Sequence, residues 1–307
     1  MASIATVQGV AGRSHALAYA GLAVATLGWT AGFIAGKFAL AEMTPLPVAA
    51  WRYVAAALML LPFVLRQRPA GGTRRAARPL ALMVLCGGVL YPLLFLTALA
   101  HTSATNTSLL IALNPAFTIL LAPLVGERLV PHRLAGVALA FAGAVVVITR
   151  GSLTAATAEL SASSGDLLAV AAAAAWATFN LAARGVVAHL SPAFTNFLIY
   201  GAGSVALTTL GLGEHPVAQL AAASATAVGS ILVMALLSSV VAGQLFLVGV
   251  RTVGISRTVV FVYLVPVLTA LASAMLLGER LGLAQVLGGA AVLAGVYWTT
   301  RGGAGGC

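Results

Sequence analysis

The chain has 307 residues, of which 61% are hydrophobic and 7% charged, with a mean hydropathy of +1.06 and a formal charge of +10. A soluble domain carries roughly 25% charged residues, so this composition excludes a water-covered globule and leaves an integral membrane protein. The positive balance is no nucleic-acid signature here, because arginines gathered in cytoplasmic loops follow the positive-inside rule.

Residues 1–14 are short and polar, and no small-residue cleavage signature follows the first apolar run, so that run reads as a retained span. A helix crossing the hydrocarbon needs about 20 apolar residues. On that ruler the chain holds ten spans: 16–38, 46–65, 79–100, 104–125, 132–149, 165–188, 193–212, 225–249, 256–277 and 283–300. Backbone polar groups cannot stay unpaired in lipid, so these spans are helices. The alternating strand pattern of a membrane barrel is absent. The expected fold is an all-α membrane protein of ten transmembrane helices.

With the N-terminus inside, Arg13, Arg66, Arg68, Arg74, Arg75, Arg78, Arg128, Arg133, Arg184, Arg251, Arg257 and Arg301 face the cytoplasm. Lys37, Arg52, Arg150 and Arg280 are left outside, beside Glu42, Glu159, Asp166, Glu214 and Glu279. This bias puts both termini in the cytoplasm. The preference for Arg over Lys and the abundance of Ala suggest a GC-rich genome, hence a bacterial inner membrane. Cys86 and Cys307 do not form a disulfide framework.

The stretch Asn114 to Gly151 recurs as Val265 to Gly302. Pro115 answers Pro266, Thr118 answers Thr269, and Gly126-Glu127-Arg128-Leu129 answers Gly278-Glu279-Arg280-Leu281. Gly136 and Gly143 answer Gly288 and Gly295, and the offset is 151 residues before the charged elbow and 152 from it onward. Two copies of one unit follow: a first five-helix repeat over 1–150, a connection over 151–164, and a second repeat over 165–301. Five spans per copy is odd, so the second copy enters the membrane inverted. Trp29 precedes Lys37, and Trp176 precedes Arg184, by eight residues, which sets the two cations at opposite faces. Inverted repeats about an in-plane axis are the layout of many secondary transporters, with the site near the midplane.

Ten spans in two halves, each with a proline in its fourth span, then Gly-Glu-Arg-Leu and a glycine-spaced fifth, resemble the drug/metabolite transporter superfamily and its EamA branch. Within that branch the chain is similar to bacterial exporters of aromatic amino acids of the YddG type. The resemblance implies a basket of helices, with spans one, three, four, six, eight and nine around a central cavity. It also implies alternating access by rocking of helix hairpins.

Gly126 and Gly278 suit the C-terminal turn of a helix, and the Glu and Arg that follow are expected as interfacial anchors. Gly28, Gly32 and Gly36 form a small-residue packing face. Pro115 and Pro266 are kinks or, in the sharper reading, hinges. Trp29 and Phe33 in span one are answered by Trp176, Phe179 and Asn180 in span six, which suggests an aromatic cavity. Tyr91 and Phe95 in span three, Asn114 in span four, Gln244 in span eight and Tyr263 in span nine are candidates for the same space. Glue between helices is the competing role for the amides. Trp51 and Trp298 read as interfacial belt residues. Lys37 and His101 are the candidate carboxylate or proton partners on the outer side, against snorkelling as the alternative.

All six acids lie at span ends or in loops, which suggests a facilitator-like carrier with an uncharged or zwitterionic substrate. No cofactor or metal motif is present. The leading function is an exporter of small amphipathic metabolites, aromatic amino acids first. The alternatives are a phosphorylated-sugar or nucleotide-sugar carrier, which needs several convergent cations, and a multidrug efflux carrier. A membrane enzyme lacks its nucleophile and base grouping, and a channel lacks its ring of charges. Monomer is a workable state, and the bilayer and a small solute are the expected partners.

Overall fold

Apolar side chains around every face leave the backbone no solvent to bond to, and among the described residues every regular element is helical. The structure is a computed structural model that describes residues 2–67, 73–125, 131–149 and 164–301. In chain order the helices are α1 (Ala2–Leu40), α2 (Pro45–Leu65), α3 (Arg75–His101), α4 (Ala104–Leu121) and α5 (Pro131–Ile148). Then follow α6 (Ser164–Val187), α7 (Pro192–Leu210), α8 (Ala225–Val253), α9 (Phe261–Leu276) and α10 (Leu283–Arg301).

Seven of these, α1 from His15, α2, α3, α4, α6, α7 and α8, are long and apolar enough to cross a membrane. The apolar stretches in α5, α9 and α10 are shorter, over Leu134–Ile148, Phe261–Leu276 and Leu283–Trp298. They lie where the sequence places spans five, nine and ten. Helix α9 is short because its first turns are spent irregularly, as a turn of helix over Ile255–Thr258 and a 3-10 segment over Val259–Tyr263.

Two other elements depart from expectation. Helix α1 begins at Ala2 rather than after residue 14, since no proline interrupts the chain before Pro45. A short helix, Pro216–Ala222, fills the connection before α8, with Pro216 at its start where a missing N–H costs nothing. The first charged elbow, Gly126-Glu127-Arg128-Leu129, the connection over 151–163, and Arg68 and Arg150 lie outside the described residues.

Packing is reciprocal between the halves. Helix α2 lies along α7 and α5 along α10, while α1 packs on α8 and α6 on α3. The α5–α10 crossing is the closest. A Cβ at Gly143 would stand 2.6 Å from Gly288 O, and one at Gly295 would stand 2.6 Å from Gly136 O. Since Gly143 answers Gly295 and Gly136 answers Gly288, each contact is the other with the halves exchanged. Small residues let two backbones touch where lipid offers no hydrophobic drive to association.

The α-helical ladder breaks in matched places too. Helix α3 contains a π segment over Val84–Leu90, and α8 contains one over Met234–Val241. Helix α4 breaks at Ala112 and Leu113, just before Pro115, as α9 opens in 3-10 form before Pro266. Such interruptions free carbonyls, which must find other donors.

Replacing Gly143 with Val should lower stability by about 1–3 kcal/mol, the usual cost of overpacking. A lower melting temperature in detergent is the readout. An unchanged melt would mean that α5 and α10 do not meet backbone to backbone.

Candidate functional site

Seven aromatic side chains from four helices form one continuous wall. Trp176 stacks on Phe179 one turn along α6, with ring centroids 4.5 Å apart, and tilts against Tyr91 of α3 at 4.7 Å. Tyr91 stacks on Phe95 at 5.7 Å, and Phe95 meets Phe33 of α1 edge-on at 5.0 Å. Trp29 of α1 meets Trp176 at 6.3 Å in a T arrangement and Phe246 of α8 at 5.5 Å. These rings line the principal cavity, together with Asn114, Arg52, Tyr53, Asn196, Tyr200 and the prolyl ring of Pro266. The space inside that holds water-sized molecules is ≈ 60 Å³, room for a handful of waters.

Of the residues singled out from the sequence, Trp29, Phe33, Tyr91, Phe95, Asn114, Trp176 and Phe179 are thus brought together. Pro266 also lines this space, and the others sit elsewhere. Asn180 is fully buried behind the wall, donating from Nδ2 to Asn114 Oδ1 at 3.3 Å. Asn114 Nδ2 in turn donates to Ile111 O at 3.3 Å. That carbonyl is the one Pro115, lacking an N–H, cannot serve. Pro115 is buried at this break and outside the lining. Gln244 donates to Pro192 O at 3.3 Å, tying α8 to the start of α7. Tyr263 is half-buried against the core beside the lining residue Val262.

Lys37 and His101 also stand away from the cavity. Lys37 is half-buried and donates to Thr102 O at 2.6 Å, because its stem reaches the end of α3. His101 is exposed, with Nδ1 bonded to Thr97 O at 2.8 Å, one turn back on its own helix.

Five residues missed by the sequence reading complete the lining: Arg52, Tyr53, Asn196, Tyr200 and Phe246. Arg52 corrects the assignment to the outer surface. It is 5% exposed, donating from Nε to Ser239 Oγ at 2.8 Å and from Nη2 to Ser238 Oγ at 3.3 Å. It lies seven residues inside α2, too deep to snorkel out. Tyr53 Oη donates to Gly87 O and Tyr200 Oη to Ser239 O, at 2.9 and 2.8 Å. Each tyrosine therefore serves a carbonyl in the π segment of its own half. A signal existed for both: each follows its helix's opening proline, Pro45 or Pro192, by eight residues. Phe246 was reachable too, since it follows Phe95 by the repeat offset of 151.

At one end of the bundle polar contacts join the two halves. Glu279, expected as a lipid-interface anchor, instead caps the N-terminus of α4. Its carboxylate accepts from Ala104 N at 2.7 Å, Thr105 N at 3.1 Å and Thr105 Oγ1 at 2.7 Å. A carboxylate is favoured there by the orphan N–H groups and the helix dipole. Gly278, at φ 67°, supplies the left-handed turn that aims it. Asp166 accepts from Thr102 Oγ1 at 2.7 Å, and Gln285 donates to Asn106 Oδ1 at 3.2 Å. Glu42 accepts from Ser224 N and Oγ at 2.7 and 2.5 Å, and Trp51 donates to Pro216 O at 2.9 Å. The hydrogen bonds from Ser224 hold the Glu42 carboxyl below the usual carboxylate range.

A bundle of apolar helices around an aromatic cleft, its halves joined at one end by hydrogen bonds, suits a membrane transporter. The chain belongs to the EamA-like transporter family, whose model matches it twice, over residues 16–149 and again over 163–301. A probable terminal-alkyne amino-acid exporter of Streptantibioticus cattleyicolor is 29% identical over 76% of this chain and 77% of its own. A probable amino-acid metabolite efflux pump of Escherichia coli is 28% identical over 88% of this chain and 90% of its own. A solved crystal structure shares the fold with a TM-score of 0.55 at 18% identity, over 90% of this chain and 96% of that one.

Because the folded-state pKa of Glu42 is depressed, its contribution is complete above the unfolded carboxyl value and is lost as pH falls through the folded one. Melting temperatures of wild type and Glu42→Gln should therefore differ near neutrality and converge below about pH 4. Parallel curves across that range would show that the Glu42–Ser224 contact adds nothing.

Proposed function

We propose that this protein is a secondary transporter of a bacterial inner membrane that exports small amphipathic metabolites, with aromatic amino acids as the best-fitting class. The observation that carries this reading is the unbroken aromatic wall on α1, α3, α6 and α8 around a cleft with no Asp or Glu among its described lining residues. Flat apolar rings suit a flat apolar solute, and a cation would want a carboxylate partner. Relatives named as amino-acid exporters and efflux pumps support the solute class. A phosphate-bearing solute fits less well, because it wants several convergent cations and the lining offers Arg52.

The mechanism we infer is alternating access between two inverted five-helix halves, with ten crossings and both termini in the cytoplasm. Reciprocal packing of α5 on α10 and of α2 on α7 supports the inversion. Breaks before Pro115 and Pro266 supply the bending points. Without a mid-span carboxylate the carrier needs no proton partner, and the substrate gradient drives export.

Efflux from proteoliposomes should favour aromatic over aliphatic and cationic amino acids and persist when the proton gradient is collapsed. Trp176→Ala should reduce the rate at least about tenfold, since it removes the ring that touches Trp29, Tyr91, Phe179 and Phe246. Full transport by that variant would remove the cavity from the translocation path. Single cysteines at Gln67 and Ser224, in a background without Cys86 and Cys307, should label from opposite faces. Labelling from one face would end the proposed topology.

A further inference from the structure

We infer that the cavity recognises a carboxylate, and that Arg52 is the residue that holds it. This rests on the reading above that the cavity is the transport site. Arg52 is the one charged side chain among the described lining residues. Its Nε and Nη2 are used by Ser239 and Ser238, but Nη1 is buried without a hydrogen-bond partner. An ionised donor left unpaired in a low-dielectric interior is costly, and a guanidinium fork fits the two oxygens of a carboxylate.

A second donor converges on the same corner. Asn196 Nδ2 is also buried and unpartnered, on a side chain 2% exposed. Ser239 links the two: its hydroxyl accepts from Arg52 while its carbonyl accepts from Tyr200, one turn of α7 beyond Asn196. Gly243 faces Tyr200 and Asn196, and a Cβ there would lie 3.3 Å from Asn196 Nδ2. The missing side chain leaves that donor open. Arg52 and Asn196 are carried by α2 and α7, and Ser239 by the π segment of α8, so the corner spans both halves. Its neighbours on the other side are rings: the guanidinium carbon stands 5.4 Å from the Tyr53 ring centre and 6.0 Å from that of Phe95. The site therefore has a cationic end and an aromatic end, the polarity of an amphipathic acid.

The test measures apparent affinity in detergent, from the ligand dependence of the melting temperature. The ligands are tryptophan, tryptophanamide, indole-3-propionate, leucine and leucinamide. In the wild type, each free carboxylate should bind about 10–100-fold more tightly than its amide, the range of a charge-assisted pair. Arg52→Gln should bring acid and amide to near equality, and Arg52→Lys should keep part of the preference. Binding of indole-3-propionate as well as tryptophan marks any amphipathic acid as a ligand, whereas tryptophan alone restricts the class to amino acids; both retain the carboxylate. If only the leucine pair shows the acid preference, the aromatic reading fails and this inference stands. No acid preference in either wild-type pair overturns it, as does a panel in which no carboxylate stabilises the protein. Equal weakening of acid and amide in a folded Arg52→Gln would assign Arg52 to bracing α2 against α8.

Discussion

A lipid-facing backbone must pair every N–H and C=O within the protein, and the interior of this molecule follows from how that demand is met where the helices break. Among the described residues, two π segments and two proline breaks interrupt the ladder. Beside three of these, named side chains take up freed groups, Tyr53 and Tyr200 at the π segments and Asn114 at Ile111 O, while Glu279 serves the orphan N–H groups at the start of α4. The two π segments are thus paired through tyrosines from neighbouring helices. That pairing draws α2, α3, α7 and α8 around one cleft.

The same accounting separates structural amides from those open to a solute. Asn114 and Asn180 bond each other, and Asn114 also bonds the Ile111 carbonyl, which stiffens the seam beside the aromatic wall. Arg52 and Asn196 keep donors in reserve on the cavity side. Lys37 and His101, which on charge alone looked like natural anion partners, are held by carbonyls near the end of α3. Position relative to a free carbonyl, more than formal charge, decides which polar group faces the cleft.

Much of this was legible in the chain itself. The doubled Pro, Gly-Glu-Arg-Leu and glycine spacing marks two equivalent units, and the paired tryptophans Trp29 and Trp176 lead to the wall. What escaped notice was less regular. Tyr53 and Tyr200 sit in spans two and seven, where sequence similarity between the halves is faint beyond the opening proline. Arg52 was assigned by charge-counting to a loop, although a span drawn over 46–65 already enclosed it. The π segments leave no composition signal, because an extra residue per turn changes geometry and not residue type. Glu279 looked like an interfacial anchor since its partner, the N-terminus of α4, is brought to it only by the fold.

The T-shaped contact of Trp29 with Trp176, 6.3 Å between ring centres, joins the first helix of one half to the first helix of the other. Two indoles at that distance and angle couple their electronic transitions, and the coupling falls steeply as they separate. The protein therefore carries its own optical gauge across the seam between its halves. Circular dichroism in the indole bands would report any change in that spacing with no dye attached.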